Sequence, residues 1–140
     1  MRSLHLSVVV EVDPRDVYDY AADPAHLPHW AAGLASGAVS AEGSVLVVDS
    51  PMGRVTVRFV PRNDLGVLDH DVELPTGQVV TNPLRVLQHP DGAEVVFTLR
   101  QLPGVSDDDF ERDAEAVRAD LARLAAALEA GPGTDLSSAR

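Results

Sequence analysis

The chain has 140 residues, a formal net charge of −11 and no cysteine. This length suits one domain, and the lack of cysteine excludes disulfides and thiolate metal sites. Because the chain is acidic and has no stripe of basic residues, nucleic-acid binding is disfavoured. The start of the chain lacks the apolar core of a signal peptide, and every purely apolar run is too short to span a bilayer. We therefore expect a cytoplasmic protein without a membrane span.

The first predicted elements are a strand and two short helices. Apolar and polar residues alternate over 4–12, which predicts a half-buried strand. Asp13 is a suitable N-cap for a helix over 14–22, which has proline at its first position. The Asp-Pro pair at 23–24 repeats this signal and opens a second short helical turn, which Pro28 interrupts before a loop.

The middle of the chain, from about 35 to 101, is punctuated like a series of antiparallel strands. Turn-forming residues recur about every ten residues, at 42–43, 51–53, 62–64, 75–77 and 90–92. Alternation is clearest over 54–59, where Val57 and Phe59 share the inner face. The same pattern places Phe97 inward on the last strand.

The strongest periodic signal predicts a long C-terminal helix from about Asp107 to Ala130. Ser106 can cap it, and glycine follows its last residue. Its apolar stripe consists of Phe110, Ala114, Val117, Leu121, Leu124 and Leu128. A helix of this length extends about 36 Å, which is enough to cross a small domain. We expect residues 131–140 to form a disordered tail.

This order of elements predicts an α+β fold in one domain over residues 1–130. A curved antiparallel sheet of about seven strands wraps round the long C-terminal helix, and two short helices lie between the first and second strands. A curved sheet does not close fully on a cylindrical helix, so space remains between the two layers. Either large side chains or a ligand fill that space.

Several motifs resemble the SRPBCC superfamily, which has the helix-grip fold. The motif over 12–24, followed by Leu-Pro-His-Trp at 27–30, is similar to the N-terminal signature of that superfamily. The segments 66–70, 85–86 and 94–99 resemble one of its bacterial branches. Members include START lipid-transfer domains, birch-pollen-allergen-like proteins and polyketide cyclases. The resemblance implies a deep, mostly apolar pocket between sheet and helix, and some members catalyse cyclisation or hydrolysis there. No catalytic residue carries over, and fold alone does not define chemistry.

His70 is the candidate for chemistry, because alternation places it on the inner face with Leu68 and Val72. Its ordinary pKa of about 6.5 allows it to act as donor, acceptor, acid or base near neutral pH. It is therefore either a polar anchor for a ligand, a general base, or a buried histidine bonded to a neighbouring strand or helix. Asp69 and Asp71 belong to the opposite face and are poor partners for a catalytic dyad.

Other inward-facing residues complete the predicted pocket. Trp30 either covers the mouth of the cavity or fills core. Asn82 shares parity with Leu84 and offers a polar contact, whereas Arg85 belongs to the outer face unless the chain bulges at Pro83. The predicted ligand contacts are Trp30, Val57, Phe59, Leu68, His70, Val72, Asn82, Leu84, Phe97, Val117, Leu121 and Leu124.

Metal and cofactor sites are not expected. His26, His29 and Asp23 are near one another in sequence, but Pro28 breaks the helical spacing that a shared metal would need. The acidic run at 107–109 suits the positive end of the helix dipole. The sequence shows no phosphate loop or nucleophile elbow.

Three functions agree with these patterns. The first is binding of a small hydrophobic molecule, such as a lipid, an aromatic compound or a polyketide-like compound, by a monomer or weak homodimer without a cofactor. The second is a cyclase, dehydratase or hydrolase that uses His70 as acid or base. The third is a packed structural or interaction domain without a ligand. We expect binding rather than catalysis, because the sequence carries no catalytic constellation.

Overall fold

A computed structural model of the chain describes residues 1–32, 34–35 and 37–131. The strands in this part of the chain are β1 (Ser3–Val10), β2 (Val39–Glu42), β3 (Val45–Ser50), β4 (Gly53–Phe59), β5 (His70–Glu73), β6 (Val79–Asn82), β7 (Leu84–His89) and β8 (Gly92–Arg100). The helices are α1 (Pro14–Ala22), α2 (Leu27–Trp30) and α3 (Asp107–Ala130), with a 3-10 turn at Pro24–His26. The predicted disordered tail lies, apart from Gly131, outside the described residues.

The two short helices begin at the predicted caps. The side chain of Asp13 accepts a hydrogen bond from the backbone N–H of Arg15 at 2.9 Å, and Asp23 caps the 3-10 turn in the same way. The predicted interruption at Pro28 is wrong, because this proline lies in the first turn of α2. A first-turn N–H has no partner within a helix, so the missing donor of proline costs little there.

Helix α3 has the predicted bounds. The hydroxyl of Ser106 accepts from the backbone N–H of Asp109 at 3.1 Å and caps the first turn. The helix runs along β1, since Arg2 pairs with Glu111 at one end at 2.9 Å, and Glu129 accepts from the backbone N–H of Glu11 at the other at 3.0 Å. Its buried residues are Phe110, Ala114, Leu121, Leu124 and Ala125.

The strands are antiparallel to their neighbours and run in the orders β2-β3-β4-β5-β6 and β1-β8-β7. A bridge between Val67 and Arg85 joins the two groups. The same register holds for the pair His70–Asn82 and for the pair Val67–Arg85. The pairing of these two segments therefore continues unchanged on both sides of the break between β6 and β7. The described residues therefore form the predicted curved antiparallel α+β arrangement, with one strand more than the seven expected.

Pro83 produces the extra strand, because it lies at the break between β6 and β7 and has no N–H to donate to the ladder. Asp69 is opposite it in the register, and its carboxylate replaces the lost ladder contact. One carboxylate oxygen accepts from the backbone N–H of Leu84 at 2.9 Å and from Nε of Arg85 at 2.8 Å. The other accepts from the guanidinium of Arg85 at 2.7 Å, so a side chain holds the broken ladder together.

The core lies between the concave face of the sheet and the three helices. It includes Val10, Val17, Val48, Val95, Leu27, Leu84, Phe110 and Leu124, all almost fully buried. None of the helices in the described part of the chain is long and apolar enough to cross a membrane.

Candidate functional site

A cavity of about 510 Å³ lies between helices α2 and α3 and the inner face of the sheet. Phe59 on β4, His70 and Val72 on β5, and Phe97 on β8 form its sheet wall. His70 and Val72 are two positions apart on β5, where alternate side chains face inward. Trp30 on α2 and Val117 and Leu121 on α3 contribute from the helical side.

Nine of the twelve predicted ligand contacts line this cavity: Trp30, Phe59, His70, Val72, Asn82, Leu84, Phe97, Val117 and Leu121. The other three, Val57, Leu68 and Leu124, are buried in the core and are not part of the cavity wall. Alternation and helical periodicity predict which face is buried. They do not predict where along that face the sheet and the helix separate.

His70 is buried within this wall, with 5% of its surface exposed. Its Nδ1 lies 3.0 Å from the carbonyl oxygen of Leu68. A carbonyl only accepts, so Nδ1 carries the hydrogen and Nε2 of the neutral ring is an acceptor. Burial lowers the pKa of His70 below its usual range, so the ring is neutral at pH 7. The rings of Phe59 and Phe97 lie beside it, at centroid distances of 4.7 and 6.4 Å.

The Nε2 atom of His70 has no hydrogen-bond partner among the described residues. Unlike the indole nitrogen of Trp30, this atom is not fully enclosed by protein. Because His70 lines the cavity, this nitrogen is an acceptor that a molecule in the cavity can reach.

Trp30 lines the same cavity, but its indole nitrogen is fully enclosed by protein. The side chain is buried with 5% of its surface exposed, and its indole N–H has no hydrogen-bond partner in the described part of the chain. A buried donor left without a partner is unfavourable by about 1–3 kcal/mol. The sequence left Trp30 as either cover or core filler, and the structure places it on the cavity wall at the C-terminal end of α2.

Residues 1–129 match the family model described as polyketide cyclase / dehydrase and lipid transport. The chain belongs to this family. The match spans most of the chain, and it confirms the SRPBCC resemblance that the sequence motifs suggested. Comparison with curated proteins gave no match.

Solved structures share the fold of this family member at low sequence identity. The protein CV1439 from Chromobacterium violaceum is 15% identical, with 92% of this chain and 99% of that chain covered and a TM-score of 0.67. The Aha1 dimer from Colwellia psychrerythraea is 15% identical, with 95% of this chain and 100% of the Aha1 chain covered and a TM-score of 0.73. DynU16, from the dynemicin biosynthetic locus, is 17% identical over 92% of this chain and 48% of that one, with a TM-score of 0.71.

The carboxylates beside His70 do not form a dyad with it in this family member. Neither Asp69 nor Asp71 lines the cavity. The hydrogen bond from Arg85 lowers the pKa of Asp69 below its usual range, because it has a larger effect on this pKa than burial, which raises it. Asp71 instead accepts from the hydroxyl of Thr81 at 2.5 Å. His70 is therefore oriented by a backbone carbonyl rather than by a carboxylate.

The cavity wall also carries three charged side chains that sequence reasoning missed. Arg100 is its one basic residue among those described, while Asp113 and Asp120 bring carboxylates from α3. Burial, followed by the charge of Asp109, raises the pKa of Asp113. Helical spacing contained this information, since Asp113 and Asp120 lie four residues before and three residues after Val117.

Most of the remaining wall is apolar and was also missed. It comprises Leu27, Ala31, Leu34, Met52, Leu74, Val79, Val80, Thr81, Leu99, Leu102, Val105 and Ala116. Consecutive residues of β6 line the cavity, so strict alternation could not have found them. Among the described residues, no group of three or more metal-ligating side chains is present, and His26 instead stacks on Tyr20 with ring centroids 3.9 Å apart.

Proposed function

We propose that this protein binds a small hydrophobic molecule in the cavity between the sheet and α3. The observation that carries the proposal is a cavity of about 510 Å³ whose wall is mostly apolar and includes the reachable acceptor of His70. Ligand sites in proteins have this combination of an apolar wall, a few placed polar groups and a volume of about 300–1,000 Å³.

The surroundings of the cavity support entry of an apolar molecule. Met52 on the turn between β3 and β4 is 52% exposed, and Val79 at the start of β6 is 55% exposed. Both residues also line the cavity, so apolar surface continues from solvent into the interior. A domain with a fully packed interior, the third function considered from the sequence, does not account for such a space.

The test is binding of an apolar fluorescent probe, N-phenylnaphthylamine, to the full chain. We expect saturable enhancement of probe fluorescence. Val117→Trp fills the wall of α3 and should abolish it. Ala119→Trp is the matched control, because Ala119 is exposed on the same helix and is not part of the wall. Equal probe binding by both variants, or none by the wild-type chain, would reject the proposal.

Native mass spectrometry of the purified protein gives an independent measurement. A retained apolar molecule would appear as an added mass that denaturation removes, and organic extraction would release it for identification. Only the protein without added mass is expected for Val117→Trp.

A cyclase, dehydratase or hydrolase is the second candidate, and the accessible Nε2 of His70 is the observation that favours it. An unprotonated imidazole nitrogen can remove a proton from a substrate held beside it. The lowered pKa makes it a weak base, and no carboxylate orients the ring, so binding remains the leading function. The enzyme hypothesis requires that His70→Phe abolish turnover and retain probe binding.

We expect this binding protein to act as a monomer or weak homodimer. The outer face of β1 exposes Val9 at 39%, a small apolar contact surface. Light scattering across a range of protein concentrations tests this expectation, which a stable larger assembly would contradict.

A further inference from the structure

The polar groups of the cavity wall define the class of ligand more narrowly than its apolar surface does. His70 donates through Nδ1 to the carbonyl oxygen of Leu68, so its hydrogen is committed to the strand. Its other nitrogen, Nε2, can therefore only accept within the cavity while the ring is neutral. The complementary ligand group is a hydrogen-bond donor.

We infer that the ligand is an uncharged apolar molecule carrying a hydroxyl group, and that this hydroxyl donates a hydrogen bond to Nε2 of His70. The inference rests on the proposed function, since it names the ligand class for the same cavity. A phenol or an alcohol has the required donor. An ether or a hydrocarbon of the same shape leaves Nε2 without a partner after its access to water is lost.

The wall offers no excess of positive charge to a carboxylate ligand such as a fatty acid. Two carboxylates, Asp113 and Asp120, and one guanidinium, Arg100, line the cavity, and Asp120 also forms an ion pair with Arg123, which is not part of the wall. The whole chain has a formal net charge of −11, which also repels anions at a distance. His70 supplies no compensating positive charge at neutral pH, because its burial disfavours protonation.

The experiment compares three competitors of similar size at neutral pH: naphthol, methoxynaphthalene and naphthoate, each substituted at the same ring position. Displacement of N-phenylnaphthylamine from the full chain gives the affinity of each competitor. Methoxynaphthalene is the more apolar of the two neutral compounds, so burial alone favours it. We expect naphthol to bind more tightly than methoxynaphthalene nevertheless, and naphthoate to bind most weakly.

His70→Phe tests whether the hydroxyl preference arises at this residue, because phenylalanine retains a ring beside Phe59 and removes the acceptor. The ratio of naphthol to methoxynaphthalene affinity should fall by about two- to tenfold, the value of one net hydrogen bond. His5→Phe is the matched control, since His5 is exposed on β1 and lies away from the cavity, and its ratio should stay unchanged. His70→Leu replaces the first variant if that variant does not fold.

The outcomes separate the two proposals. Failure of the wild-type chain to bind N-phenylnaphthylamine rejects the proposed function. If the probe binds but the wild-type chain prefers methoxynaphthalene or naphthoate, the hydroxyl inference is overturned and the binding function stands. A naphthol preference that survives in the folded His70 variant also overturns the inference, because another group then recognises the hydroxyl.

Discussion

Asp69 should stabilise the fold mainly through one backbone contact rather than through its ion pair. Its carboxylate accepts from the backbone N–H of Leu84 at 2.9 Å, next to the break that Pro83 makes in the ladder. It also forms a bidentate pair with Arg85, at 2.8 and 2.7 Å. Asp69→Ala removes both interactions, Asp69→Asn removes the charge but leaves an acceptor oxygen, and Arg85→Ala removes the pair alone.

The burial of these groups determines the expected order of effects. Leu84 is 1% exposed, so an unpaired N–H at this position is unfavourable by about 1–3 kcal/mol. The Arg85 side chain is 48% exposed, which reduces the ion pair to about 0.2–1 kcal/mol. We therefore expect losses in the free energy of unfolding of about 2–3 kcal/mol for Asp69→Ala and about 1 kcal/mol or less for the other two variants.

Urea unfolding gives these differences, with the fluorescence of Trp30 and far-UV circular dichroism as two probes of one transition. Trp30 is the sole tryptophan, so its signal reports on the cavity wall directly. An Arg85→Ala variant as unstable as Asp69→Ala would refute this reasoning, because the ion pair would then dominate. So would an Asp69→Ala variant within about 0.5 kcal/mol of the wild-type chain.

Three further predictions concern acidity, the apolar stripe and one glycine. Burial lowers the pKa of His70, so on acidification the imidazole takes up a proton in the unfolded chain before it does so in the folded protein. The free energy of unfolding should therefore decrease as the pH is lowered from about 6.5, with a slope of at most about 1.4 kcal/mol per pH unit. Urea melts at stepped pH measure the slope, and a His70→Phe variant with the same slope between pH 5 and 6.5 would assign it elsewhere. Leu124→Ala should lower the free energy of unfolding by about 3–5 kcal/mol, and Leu121→Ala by about 1 kcal/mol less. The reason is that Leu121 already borders the cavity, so its side chain has fewer packing contacts to lose than that of Leu124. Equal losses would contradict this difference in packing. Gly66→Ala would place a methyl group against the carbonyl oxygen of Val86, well inside contact distance, so its thermal midpoint should fall well below that of Gly104→Ala, which has the same sign of φ but open space. Similar midpoints for the two variants would show that backbone strain alone matters.

Local signals in the sequence were sufficient for most of the elements. The bounds of α3 follow from Ser106, from the apolar stripe and from the glycine after Ala130, all of which act within a few residues. The inward direction of His70 follows from alternation with Leu68 and Val72 in the same way. Pro28 was misjudged because a proline breaks a helix interior but suits a first turn, and the start of α2 depends on its surroundings.

The sequence by itself determined the α+β architecture, the long helix and the inward direction of His70. Only the tertiary structure decided that Leu121 and Val117 border a cavity while Leu124, on the same stripe, lies in packed core. Periodicity reports which face of an element avoids water, and it does so from neighbours along the chain. The distance between helix and sheet depends on side chains far apart in sequence, so the position of the cavity and the free acceptor of His70 emerge only when the layers meet.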